Sequence, residues 1–212
     1  MSVDAKAPTT ISPKEIAAAL RQRVLRIKPT EIGLKASSTT KPVVWGVVVE
    51  TAHLDTVTSL VALLDGSVSL YVSDGNGCIG CGNQREVRQA GANLLQVAVN
   101  ALPLTAVTDD VELPPPGVVR FYLLAREGLL CTQIRLEDIN SADYRLSQMY
   151  FSAQRTLATI ERTGAGQSIA QEIQLAINSS GGASGVQDPA RDNEQGESQC
   201  LSVGNVVRRL RT

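Results

Sequence analysis

The sequence predicts an α+β fold: a two-layer sandwich of helices on an antiparallel sheet of about five strands. Three observations carry this. Runs rich in Val, Leu, Ile, Thr and Tyr recur at 43–52, 57–64, 67–73, 118–125 and 129–136. Within each group these runs are joined by turn-forming stretches too short to hold a helix, so neighbours pair antiparallel. Segments with apolar residues at three- and four-residue spacing stand before, between and after the groups, giving the order α-β-β-β-α-β-β-α. A chain of 212 residues, 43% of them apolar, can close one core and still carry tails.

Residues 1–11 lack any periodic pattern and read as a disordered N-terminus. Ser12-Pro13-Lys14-Glu15 reads as a helix start, because Ser12 can cap, Pro13 suits the first helical position and Glu15 completes a capping box. Ile16, Leu20, Val24 and Ile27 then share a face, and the basic residues Arg21, Arg23 and Arg26 spread over the rest. Residues 12–42 are thus a basic amphipathic helix and loop, and 43–163 are the α+β core domain.

The run VVWGVVVETA at 43–52 is nearly all apolar, as a central strand covered on both faces should be. A second strand at 57–64 meets Asp65-Gly66, a two-residue hairpin signal, because both positions tolerate positive φ. The third strand, at 67–73, runs into a Gly-rich loop at 74–82, after which Asn83 is expected to cap a helix reaching about Ala101. Residues 103–117, ending in Pro114-Pro115-Pro116-Gly117, are a loop, and two more strands flank the turn at Arg126-Glu127-Gly128. A long helix starting at Asn140 or Ser141 carries the stripe Leu146, Met149, Tyr150, Ala153, Leu157 and Ile160, all expected to be core, as is Trp45. Thr163-Gly164-Ala165-Gly166 breaks it; a short helix is expected within 164–178, and 179–212 is a tail expected to be mostly disordered with a basic end.

The net charge of −1 hides an asymmetry. Residues 1–42 hold eight Lys/Arg against three Asp/Glu, residues 43–200 nine Arg against eighteen acids, and residues 201–212 three Arg and no acid. Acidic flesh between basic ends argues against nucleic acid and suits contact of the ends with an acidic partner, for which Arg21, Arg23 and Arg26 are candidates. No apolar run is long enough to span a bilayer, and MSVDAKAPTT lacks a secretory apolar stretch. With only four cysteines besides, a cytoplasmic location and reduced thiols are expected.

The strand order resembles the profilin-like group, which includes the roadblock and longin modules, at the level of fold alone. A second resemblance rests on residues. Trp45-Gly46-Val47-Val48-Val49-Glu50-Thr51, and Ser69-Leu70-Tyr71-Val72-Ser73-Asp74-Gly75-Asn76-Gly77-Cys78-Ile79-Gly80, are similar to stretches in a group of uncharacterised bacterial proteins. That resemblance spans roughly 43–100, implies a bacterial origin and implies no activity.

Three places could carry chemistry. Gly75, Gly77 and Gly80 match G-x-G-x-x-G between a strand and a helix, where backbone N–H groups can meet a phosphate, so Asp74, Gly75, Asn76, Gly77 and Gly80 are candidate ligand-binding residues. The antiparallel surroundings, the lack of a following Lys, and the acids Asp74 and Glu86 weigh toward a plain turn. Cys78 and Cys81 form a C-x-x-C that could act as a redox pair or supply two metal ligands, with His53 and Cys131 as recruits only if the fold brings them near. Glu50, His53 and Asp55 could form an acid–base cluster at the first hairpin, though no nucleophile is in view. The expected function is a non-enzymatic protein-interaction or homodimerisation module without a cofactor; the alternative is a small-ligand or redox/metal-binding domain using the loop at 74–82. An open sheet edge would serve the first by adding a partner strand.

Overall fold

The computed structural model describes residues 11–34, 44–169 and 171. They form an antiparallel α+β fold with three α-helices. The helices are α1 (Pro13–Leu25), α2 (Arg85–Asn100) and α3 (Tyr144–Thr163). The long strands are β1 (Val44–Ala52), β2 (Val57–Leu63), β3 (Val68–Val72), β6 (Val118–Ala125) and β7 (Gly128–Arg135). Three short ones, β4 (Gly77–Ile79), β5 (Ala106–Val107) and β8 (Gln167–Ser168), bring the sheet to eight strands in the order β5-β7-β6-β1-β2-β3-β4-β8.

The expected count of about five is therefore too low, and the element order gains a strand before α2, one after it and one after α3. The added strands are two or three residues long, too short for hydrophobic alternation to register in the sequence. Strand β8 takes positions 167 and 168 at the start of the helix expected within 164–178, pairing with β4 through Cys78↔Ser168 and Ile79↔Gln167, and Ile169 and Gln171 directly after it are helical. Of the expected disordered segments, 1–10 and everything beyond 171 lie outside the described residues.

The layering also differs. Val47, Val49, Leu60, Phe121 and Leu123 face α2 and α3, meeting Leu94, Ala98, Met149 and Ala153. On the opposite face Val48, Val61, Tyr122 and Leu124 pack against Ile16, Leu20 and Val24 of α1. The body is thus three layers, because a central strand apolar on both faces needs cover on both. The N-terminal helix supplies the second cover.

Local signals explain most boundaries. The Ser12 hydroxyl accepts from the Glu15 N–H, while the Glu15 carboxylate accepts from the Ser12 N–H at 2.7 Å, so the expected capping box is present. The β2–β3 turn is not the expected two-residue form: Gly66 alone has positive φ (+89°), and the Asp65 carboxylate accepts from the Ser67 N–H. Helix α2 begins one residue later than expected, because Cys81–Asn83 form a 3-10 turn first and Gln84, not Asn83, precedes the helix, without a side-chain cap. Helix α3 starts at Tyr144, where Asp143 caps by accepting from the Arg145 N–H, and ends at the left-handed Gly164.

Candidate functional site

The most chemically unusual feature lies between α1 and the sheet. Glu50 of β1 is fully buried, on the same sheet face as Val48. A charge there requires a partner, because an unpaired buried carboxylate costs several kcal/mol, on the order of the penalty per buried ion. Arg21 of α1 supplies it with a two-pronged contact, Nε to Oε1 at 2.5 Å and Nη2 to Oε2 at 2.9 Å. The Ser59 hydroxyl, across the β1–β2 pair, donates to the same Oε1 at 2.9 Å. Burial opposes the Arg21 charge, but Glu50 outweighs it and holds the guanidinium above its usual range.

Arg21 reaches further, donating to the carbonyls of Val111 (2.7 Å) and Glu112 (3.2 Å). Arg120 of β6 donates to the same Glu112 carbonyl at 2.9 Å, to Gln133 and to the Tyr122 hydroxyl. Tyr122 in turn donates to the Asp110 carbonyl. Two arginines from different elements thus hold the acidic, proline-rich 108–116 segment against the body. This segment becomes one wall of a groove of about 410 Å³. Ala18 and Gln22 of α1 line a second wall, Tyr71, Val72 and Ser73 a third, and Leu113 the loop side. Leu113 is half exposed at the mouth. Tyr71 is buried, its hydroxyl has no hydrogen-bond partner of good geometry, and the nearby Ser69 hydroxyl only partly offsets a burial that pushes the phenol up to about 12.

The basic-helix expectation is corrected at one residue. Arg21 is buried and committed to Glu50, so it is not a solvent-facing contact for a partner. Arg23 lies 3.6 Å from Glu31, and Arg26 stays exposed. The sequence carried a signal for the pair: Glu50 is the lone acid of a nine-residue strand that is otherwise apolar or small. What it lacked was the partner, 29 positions away.

The loop at 74–82 is occupied by its own hydrogen bonds. Asp74 accepts from the Asn76 N–H and side-chain amide, the Gly75 N–H donates to the Val72 carbonyl, and the Asn76 carbonyl accepts from the Val72 N–H. Asp74 is held below the usual carboxylate range, chiefly by the Asn76 N–H. Gly77 (φ +138°) has no room for a Cβ because the Leu70 carbonyl stands there, and Gly75 (φ +98°) packs against the backbone of Pro13 and Lys14. These glycines serve close backbone approach in the β3–β4 hairpin and under the α1 N-terminus. Gly80 takes the left-handed conformation that opens the 3-10 turn.

Cys78 and Cys81 are joined in a disulfide, Cα–Cα 6.5 Å, in place of the free thiols expected. Cys81 is fully buried and Cys78 partly exposed, with the Gly166 backbone close against them. Cys131 is free and half-buried, and burial pushes its thiol up. The structure does not assemble the hairpin cluster: Glu50 is turned under α1, whereas His53 and Asp55 are exposed in the β1–β2 turn. Among the described residues no three His, Cys, Asp or Glu side chains are grouped to hold a metal, and no helix is long and apolar enough to cross a membrane.

No known protein family, curated protein or solved structure matches this chain. Its functional reading rests on the geometry alone.

Proposed function

We propose that this protein is a protein-interaction module whose binding surface is the groove between α1, β3 and the 111–113 segment. The observation that carries the reading is the groove itself: about 410 Å³, walled mostly by apolar and small side chains with Arg21, Gln22 and Glu112 among them, and open beside Leu113. An extended peptide with one or two apolar anchors suits such a surface. The buried Arg21–Glu50 pair holds the walls in place, so the groove is formed before anything binds, which lowers the ordering cost of association. The homodimer and the bacterial, cytoplasmic setting belong to the same reading as expectations from sequence.

The test is a random-peptide display panned on the full chain, with selected peptides re-measured on Ala18→Trp. Ala18 is exposed on the groove wall, and an indole there fills the groove without entering the core. Peptides that bind the native chain and lose binding to Ala18→Trp are the expected result. Peptides indifferent to that change place binding elsewhere.

A second reading is favoured by the disulfide. A half-exposed Cys78 beside a buried Cys81 is the arrangement in which an outside thiolate attacks the Cys78 sulfur and Cys81 departs as the thiolate. A measured potential near those of thiol oxidoreductases, with exchange abolished in Cys78→Ser, would favour it over the groove.

A further inference from the structure

We infer that the groove is occupied in cis by the chain's own C-terminal segment, residues 201–212. The inference rests on the groove being a peptide-binding surface and names its first occupant. Three observations converge on it.

The first is where the described chain ends. Ile169, just past β8, is fully buried in the same apolar cluster as Tyr71 and Ile16, on the α1 face of the sheet. Its Cδ1 lies against the position a Gly77 side chain would take, and Gly77 pairs with Tyr71, a wall of the groove. The last described residues therefore lie on the groove's side of the sheet. The second is length. Residues 178–200 are dominated by Ser, Gly, Gln, Asn and acids, and a random-coil linker of that length and composition would span about 25 Å root-mean-square. A segment so tethered sits at a local concentration on the order of millimolar, enough to fill a site of modest affinity.

The third is chemistry. Residues 201–212, LSVGNVVRRLRT, are an apolar and basic stretch beyond the polar run at 178–200, with Val206, Val207 and Leu210 as anchors and Arg208, Arg209 and Arg211 as charges; the other apolar stretch of the tail, Ile173 to Ile177, carries no cation. The groove's apolar wall suits the anchors. Its rim is acidic: Glu112 lines it, Asp110 and Asp74 adjoin lining residues, and Glu112 and Asp74 are exposed. The cations nearest these walls are engaged already, Arg21 with Glu50 and Arg120 with Asp110. Among the described residues Lys14 acts on Asp74 from α1 and Arg120 pairs with Asp110, so both compete with the incoming arginines for the rim acids. A partner peptide would then have to displace this segment, which makes the tail a built-in competitor.

The experiment uses the full chain with Cys131→Ser and a nitroxide on Cys200, next to the segment, with the Cys78–Cys81 disulfide intact. Amide signals of isotopically labelled protein are compared with the nitroxide oxidised and reduced. The expected result is loss of the Ala18, Gln22, Ser73 and Leu113 signals, restored by reversing the charges of Arg208, Arg209 and Arg211 to Glu. Signals at those positions that are unaffected would overturn the inference. If a synthetic 201–212 peptide added in trans still shifts them, the groove remains a binding surface and only the cis occupant is lost. If it does not, this peptide gives the groove no support, and the proposed function then stands or falls with peptides selected by display. A mixture of spin-labelled unenriched chain and unlabelled enriched chain gives the last arm. Broadening there means a second copy supplies the segment, which also overturns occupancy in cis.

Discussion

Arg21 of α1 and Glu50 of β1, 29 residues apart, meet as a two-pronged ion pair inside the body, and the same guanidinium carries the carbonyls of Val111 and Glu112. One side chain thus ties three separate segments together. A helix that composition assigns to a basic appendage becomes a wall of the fold.

Breaking that pair from one side leaves a buried charge without compensation. Glu50→Ala is expected to cost about 3–5 kcal/mol, and Arg21→Met a similar amount. The double variant Arg21→Met/Glu50→Leu should be less destabilised than either single change, because no orphaned charge remains. Urea denaturation of the three variants checks this; single changes costing under about 1 kcal/mol would show that water reaches the pair.

The glycines at 75–80 were legible in the sequence as a special backbone, but their purpose was not. G-x-G-x-x-G reports freedom of φ, and a hairpin under a helix N-terminus needs that freedom as much as a phosphate does. Gly77→Ala must push against the Leu70 carbonyl as well as hold φ at +138°, whereas Gly117→Ala (φ +79°) meets open space. The first is expected to cost about 3 kcal/mol or more and the second about 1–2 kcal/mol. Equal costs in thermal or chemical unfolding would contradict the close approach.

More broadly, long elements were readable and short or paired ones were not. The capping box at Ser12–Glu15, the strand 118–125 and the helix break at Gly164 follow from local chemistry, and the structure has each of them. Strands β4, β5 and β8 exist only because neighbouring strands present open edges, which no window of two or three residues records. The groove is less legible still, since its walls come from residues near 18, 72 and 112.

The disulfide closes a loop of only four residues, so its contribution through the unfolded chain is about 2 kcal/mol. Cys78→Ser/Cys81→Ser, or a reductant, should lower stability by no more than that and leave the secondary structure unchanged by circular dichroism. Global unfolding on reduction would mean that β4 and β8 hold the whole body together.

The phenol of Tyr71 titrates near 10 in an unfolded chain and at about 12 in the fold, because burial disfavours the phenolate. Folding therefore favours the neutral form. The associated stability is present in full below pH 10 and is lost as pH rises from 10 to about 12. Tyr71→Phe should flatten that alkaline fall. At pH 7 it should change stability by less than about 1 kcal/mol, because the hydroxyl has no partner to lose. Denaturation midpoints across pH 7–12 for both proteins provide the check.

The central claim is that the groove binds a peptide, and amide shift mapping addresses it most directly. A display-selected peptide is titrated into isotopically labelled full chain. The account predicts shifts concentrated at Ala18, Gln22, Val72, Ser73 and Leu113, absent in Ala18→Trp. Shifts gathered instead at Cys78–Cys81, or along the β7 edge, would contradict it.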